Sequence, residues 1–214
     1  MQPIKAVIFD LDGVIVTTDQ YHYLAWKYIA DRLNIPFDEQ ANHALRGVSR
    51  MESLDIILRG APERTFSAEE KHALAKEKNE IYRAMLEQLS PSDVLPGVVE
   101  TLDYLEACGV KTAIGSSSQN TPLILAKVGL TDRFAIIVDG NQITRSKPDP
   151  EVFTRAAERL GVDPSACLVV EDALAGVEAG VRAGMRVAAV DDARQSEQAA
   201  YRLETMNQLI TLFH

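Results

Sequence analysis

Short apolar runs rich in β-branched residues punctuate the chain at 6–9, 110–114, 135–138, 168–170 and 187–190, each the length of a strand buried on both faces. Beyond the second run the intervals carry helix-length patterns, 122–129, 150–161 and 173–184, each closing on a glycine, the usual stop of a helix. Strand and helix in alternation predict an α/β fold, a doubly wound, Rossmann-like parallel sheet of five strands. The first connection breaks the rhythm, because about a hundred residues separate the first run from the second where a crossover needs a few tens. Within that interval 19–89 carries helical signals only. Asp19 precedes an amphipathic run at 23–29, and two S-x-x-E boxes, Ser49 to Glu52 and Ser67 to Glu70, each open another. An inserted all-helical cap over 16–94 is expected on a core made of 1–15 and 95–214, with 14–18 and the proline-containing 90–97 as linkers. The segment 191–214 reads as a terminal helix and suggests no function.

Composition adds exclusions. With 214 residues, 46% of them apolar, the chain can bury a sizeable core, and no apolar stretch approaches the roughly 20 residues of a membrane helix. No membrane association is expected. The first residues lead straight into an apolar run without a charged, signal-like start, so the cytoplasm is the expected compartment. Cys108 and Cys167 sit among apolar residues without partners at metal-ligand spacing and read as buried thiols. Lys and Arg number 22 against 31 Asp and Glu, a net charge of −9 that would repel a phosphodiester backbone, so nucleic acid is an improbable partner. A small anionic substrate would require the cations, or a metal, to be gathered in one place.

Ligands of an open parallel sheet bind beyond the carboxyl ends of its strands, and the residues there are informative. Asp10-Leu11-Asp12-Gly13 follows the first run, Ser116-Ser117-Ser118 the second and Glu171-Asp172 the fourth, while Ser146-Lys147-Pro148 precedes a helix. Carboxylates crowded in a crevice repel unless a cation or proton offsets them. An oxygen-only set, Asp10, Asp12, Glu171 and Asp172, suits Mg2+ rather than Zn2+ or copper. Beside such a metal an aspartate can attack phosphorus, and a second carboxylate must handle protons, which assigns Asp10 as nucleophile and Asp12 as general acid/base. Lys147 and the Ser116 hydroxyl would meet the oxygens of the transferring phosphoryl group. Each residue alone has a plainer reading: turn chemistry for Asp12-Gly13, a helix N-cap for Ser116, a solvated helix-start lysine for Lys147.

In that order and at those positions, Asp10-Leu11-Asp12-Gly13, Ser116, Lys147 and Glu171-Asp172 resemble the four motifs of the haloacid dehalogenase superfamily of phosphotransferases, and the resemblance covers nearly the whole chain. The interval 16–94 extends it. Thr18, Tyr21-His22, Trp26, Arg46-Gly47-Val48-Ser49-Arg50 with Ser53, and Lys78-Asn79 are similar to the cap of the mutase branch that interconverts β-glucose 1-phosphate and β-glucose 6-phosphate, as is Ser116-Ser117-Ser118-Gln119-Asn120 on the core. The resemblance implies a sugar-phosphate substrate, glucose 1,6-bisphosphate as activator and intermediate, and a monomer. It implies that Arg50, Ser118 and Asn120 hold the non-transferring phosphate, that Lys78 and Ser53 contact sugar, and that His22 assists orientation or proton control. Thr18, Trp26, Arg46, Gly47, Val48, Ser117 and Gln119 are implied to line the substrate site. Thr17 replaces a common acid and Arg46 a lysine. From spacing alone, Arg46, Arg50 and Lys78 also fit solvated helix faces, Trp26 a core position and His22 a surface one. A Mg2+-dependent sugar-phosphate phosphatase on the same fold is the alternative, differing in whether water or a sugar hydroxyl takes the phosphoryl group. A phospho-aspartate switch has no use for the long insertion.

Overall fold

The computed structural model describes residues 2–213. The first apolar run forms β1 (Ala6–Phe9), buried throughout. Four helices follow: α1 (Asp19–Arg32), α2 (Glu39–His43), α3 (Arg50–Leu58) and α4 (Ala68–Leu86). The chain then alternates through α5 (Val98–Ala107), β2 (Lys111–Gly115), α6 (Thr121–Lys127), β3 (Ile136–Val138), α7 (Glu151–Leu160), β4 (Cys167–Glu171), α8 (Leu174–Arg182) and β5 (Arg186–Ala189). A two-residue β6 (Tyr201–Arg202) and a 3-10 helix, Met206–Phe213, end the described chain. All the strands are parallel, in the order β3-β2-β1-β4-β5-β6, so β1 lies between β2 and β4 with the switch of winding direction beside it. The doubly wound α/β sheet expected from the alternation is present with one strand more than the five predicted. β6 is missed because two residues carry no periodicity, and the terminal helix expected over 191–214 is replaced by 3-10 turns at 191–195 and 206–213.

Two apolar clusters sandwich the sheet. One holds Val7, Phe9, Leu102, Leu105, Ile114, Leu168 and Leu209, the other Ile8, Ala113, Phe153, Val169 and Val187, as alternate residues of each strand point to opposite faces. A third cluster, with Trp26, Ile29, Leu54, Ile57, Leu58 and Leu74, is drawn entirely from the inserted interval. The local signals that open its helices differ in outcome. Ser67 and Glu70 form the complete reciprocal box at the start of α4, whereas Ser49 accepts from the Glu52 amide at 3.3 Å without the return bond. Asp19, read as preceding α1, is its first residue, after Thr18. The two linkers run side by side: Val16 bridges Val94 in antiparallel fashion and the Leu95 amide donates to the Ile15 carbonyl at 2.9 Å. Cys167 is buried as expected, but Cys108, the residue that caps the end of α5, is exposed. No helix among the described residues is long and apolar enough to cross a membrane.

Candidate active site

The carboxyl ends of β1, β2 and β4 open into a cavity of about 1090 Å3 whose other wall is built by α1, α3, α4 and the turn before α3. Asp10, the residue after β1, is held by its amide, which donates to the Val170 carbonyl of β4 at 2.9 Å. Its carboxylate Oδ1 accepts from Lys147 Nζ at 2.5 Å, and the same ammonium is hydrogen-bonded to Glu171 Oε1. Glu171 also accepts, through Oε2, from the amides of Asp172 (3.0 Å) and Ala173 (3.1 Å), so it is fixed from both sides. The predicted convergence of Asp10, Lys147 and the Glu171-Asp172 pair therefore exists in three dimensions.

Carboxylate oxygens of Asp10, Glu171 and Asp172 lie within 4.8 Å of one another, all buried. Burial pushes the Asp10 carboxyl up to about 7, with Lys147 opposing and Glu171 adding to the rise. Asp172 is pushed up to about 9, by burial first and then by Glu171 and Asp10. Burial alone would lower the Lys147 ammonium, but the two carboxylates it bridges outweigh it and raise it. One lysine among three buried carboxylates leaves excess negative charge on an all-oxygen donor set, the environment a hard divalent cation such as Mg2+ fits. Three of the four expected ligands come together here. The fourth, Asp12, turns its carboxylate away: Oδ1 accepts from the Thr18 amide at 2.6 Å and Oδ2 from the Thr18 hydroxyl at 2.5 Å.

Two glycines permit this packing. Gly13, at φ +80°, lies so close to Asp172 that a Cβ there would stand 2.2 Å from Oδ2. At Gly176 on α8, a Cβ would fall 1.9 Å from the Glu171 carboxyl carbon. Gly13 belongs to the turn expected at Asp12-Gly13, whereas Gly176 has no place among the expectations from sequence. A glycine inside a helical pattern was the available signal.

Every expected substrate-site residue lines the cavity except Thr18, which is buried behind its wall between Asp12 and the Tyr82 hydroxyl, 2.7 Å from Thr18 Oγ1. With Asp12 ionised, Tyr82 donates to Thr18 and Thr18 to Asp12. Ser116 follows β2; its Oγ accepts from the Ser118 amide at 3.2 Å, and Ser118 Oγ accepts from the Asn120 amide at 3.2 Å, folding 116–120 into a tight polar loop. The Ser117 hydroxyl is buried without a hydrogen-bond partner among the described residues. Gly47, Val48 and Ser53 contribute to the wall around α3, and Gln119 to the loop's rim.

Lys78 reaches the cavity from α4 with only 2% of its surface exposed, its ammonium 4.8 Å from the Trp26 ring centre and 4.6 Å from that of Tyr82. Burial holds it well below the usual lysine value, and nearby Arg50 adds to the effect. Its Nζ lies 2.8 Å from His22 Nδ1, and His22 Nε2 faces Asp12 Oδ2 at 3.8 Å. Desolvation, then Lys78 and Arg50, hold the imidazole well below its usual value, so it is neutral. Lys78 donates to Nδ1, and the imidazole proton sits on Nε2, toward Asp12. Arg50 opens α3 beside them and pairs with no carboxylate among the described residues, nor does Lys78. Arg46 behaves differently: its guanidinium is engaged by Asp19, Asp191 and Asp192. Asn120 is likewise occupied, accepting from Arg83 at 3.0 Å and donating to Asn79 at 2.9 Å. Tyr82 and Arg83 are not among the residues expected from sequence, although they stand four residues after Lys78 and Asn79, the spacing of neighbours on one helix face.

The sequence profile of the haloacid dehalogenase-like hydrolases matches residues 4–184. The chain is 45% identical to a β-phosphoglucomutase of Bacillus subtilis over 182 residues, 85% of this chain and 80% of that one. It is 34% identical to a fructose-1-phosphate phosphatase of Escherichia coli, covering 84% and 92% of the two chains. Among solved structures, a β-phosphoglucomutase from Clostridium difficile superposes with a TM-score of 0.91 at 39% identity, covering 96% of this chain and 93% of that one.

Proposed function

Because the chain belongs to the haloacid dehalogenase-like hydrolase family, we propose that it works as a β-phosphoglucomutase, interconverting β-D-glucose 1-phosphate and β-D-glucose 6-phosphate through β-glucose 1,6-bisphosphate and a phosphorylated Asp10. The observation that carries this reading is the pair of cations on the cap wall, Arg50 and Lys78, facing the cavity without carboxylate partners while Lys147 stands at the core end. A substrate that carries phosphate at both ends needs a cationic pole at each.

In the forward half-reaction an Asp10 oxygen is freed from Lys147, attacks phosphorus of the bisphosphate and displaces a sugar oxygen, which takes a proton from Asp12. In the reverse sense Asp12 removes the proton of a sugar hydroxyl as that oxygen attacks the phosphoryl group on Asp10. Thr18 fixes both oxygens of Asp12 and so holds it at the junction of the two linkers, where closure of the cap brings acid/base and substrate together. Mg2+ held by Asp10, Glu171 and Asp172 would supply positive charge to the transferring phosphoryl oxygens. Lys147 and Ser116 supply further donors there, and Arg50, Ser118 and Asn120 receive the other phosphate once Asn120 is released from Asn79. Lys78, Ser53 and His22 face the sugar. Residues 16–94 act as the moving cap on a core of 1–15 and 95–214. Glucose 1,6-bisphosphate as activator, a monomer as the working unit and the cytoplasm as its place complete the proposal.

The test is one reaction containing Mg2+, β-glucose 1-phosphate and a trace of glucose 1,6-bisphosphate, in which glucose 6-phosphate and inorganic phosphate are followed together. Fast glucose 6-phosphate with little phosphate release is expected. Phosphate release outrunning isomerisation would make the protein a phosphatase instead.

A further inference from the structure

Arg46 lies in the turn between α2 and α3, on the cavity wall, where a phosphate ligand would be looked for. Its donors are already used. Nη2 donates to Asp19 Oδ2 at 3.0 Å, and Nη1 to Asp192 Oδ2 at 3.1 Å and Asp191 Oδ2 at 3.2 Å. His43 Nε2, at the end of α2, stands 2.7 Å from the same Asp192 oxygen, and Asn42 Nδ2 donates to Asp19 Oδ1 at 3.0 Å. Asp19 opens α1 next to the outgoing linker, whereas Asp191 and Asp192 follow β5 on the core, some 145 residues from Arg46 in sequence. The guanidinium thus ties the turn before α3 and the start of α1 to the loop after β5, a contact to the core made only while the inserted helices lie against the sheet. A phosphate arriving there would confront three carboxylates for one guanidinium, the reverse of the surroundings of Arg50 and Lys78.

We propose that Arg46, assisted by His43, is a positioning residue that latches the inserted helices onto the loop after β5 and does not bind the substrate's phosphate. It acts on the reaction through closure: the latch favours the shut cavity, in which water is kept away from the phosphorylated Asp10. Asp191 sits in the left-handed region at φ +44°, a conformation that an aspartate adopts at modest cost and that its neighbours must hold. The partners are partly exposed, so each pair alone is weak, and salt screens them. The network as a whole is expected to shift the open-closed balance by about 5- to 20-fold.

A double-mutant cycle decides the matter, using Arg46→Ala, Arg46→Lys, the pair Asp191→Asn with Asp192→Asn, and the combination of Arg46→Ala with that pair. Arg46→Ala and the double asparagine variant are each expected to lower kcat/KM for β-glucose 1-phosphate about 5- to 20-fold and to raise the share of turnovers ending in free phosphate. Their combination should be no worse than either alone, and Arg46→Lys should recover part of the loss. Small-angle scattering of the same proteins without substrate should show a larger radius of gyration for both broken forms, a readout that stands whether or not glucose phosphate is the substrate. Losses that simply multiply, an unchanged radius in both variants, or a severe rise of KM in Arg46→Ala beside wild-type behaviour of the asparagine pair would each overturn the proposal.

Discussion

Charge crowding at the acidic cluster has consequences that single substitutions expose. Asp10 and Asp172 are pushed up to about 7 and about 9 in the folded protein, far above the ordinary carboxylate range. A carboxyl whose folded value is raised favours the folded state fully below its unfolded value and loses that contribution as pH rises through the folded value. The metal-free protein should therefore lose stability from these groups between about pH 4 and 9, and added Mg2+ should return it at the alkaline end by binding the folded form. Thermal melts across that range in EDTA and in Mg2+, for wild type and Asp172→Asn, check this: the variant's metal-free melting temperature should fall less with pH and respond little to Mg2+. In catalysis, Asp10→Asn should abolish turnover, and Asp12→Ala should lower kcat by about 10²- to 10⁴-fold, the usual worth of a general acid/base. Steady-state rates with the glucose 1-phosphate assay measure both. The cluster was legible because its members end strands that the apolar runs mark. The fate of Arg46 was not, since the carboxylates that claim it lie on the far side of a fold no local pattern reveals.

At the scale of the element, α4 explains why its functional face was half visible. Its start was announced by the Ser67–Glu70 box, and Lys78 entered by resemblance, but the helix carries Lys78 with Tyr82 and Asn79 with Arg83 in two parallel rows. The first row builds the back of the cavity: Tyr82 packs against His22 with ring centres 4.1 Å apart and planes tilted by 36°, and hydrogen-bonds Thr18, while Lys78 lies over the Tyr82 and Trp26 rings. Placing an ammonium there costs stability in the absence of a ligand. Because the Lys78 value is lowered on folding, the penalty is full below the folded value and fades as pH rises from there to the unfolded lysine value. Lys78→Met, which keeps an unbranched chain over the two rings, should stabilise the ligand-free protein by about 1–3 kcal/mol, as replacement of buried charge by apolar volume does. It should also cut kcat/KM by at least about tenfold, since the cavity then has one cation fewer for an anionic substrate. Denaturant unfolding beside the kinetic assay tests the opposition; a variant that is both less stable and fully active would contradict it.

Across the whole molecule, the sheet order places β1 centrally, so the residue following it is reached from both sides: Lys147 arrives from the loop after β3 and Glu171 from the end of β4. Alternation of strand and helix made that architecture legible, and the oversized first connection made the insertion legible. The end of the chain was not. After β5 the polypeptide adds β6 through two residues and then a 3-10 helix whose Met206 and Leu209 enter the same apolar cluster as β1 and α5, with Thr101 Oγ1 donating to the Met206 carbonyl at 3.3 Å. Such short pieces are fixed by tertiary contacts rather than by their own periodicity. They are nonetheless part of the support of the catalytic strand, because Leu209 is wholly buried in the layer that holds Val7 and Phe9. Leu209→Ala should cost about 2–5 kcal/mol of folding stability, the range for removing a buried leucine side chain. Its kcat and KM, measured well below the lowered melting temperature, should stay near wild type, since Leu209 does not itself line the cavity. Urea unfolding together with the two kinetic constants separates the outcomes: a loss of kcat without a loss of stability would mean that the terminal segment acts on the site directly, whereas the packing argument requires the reverse.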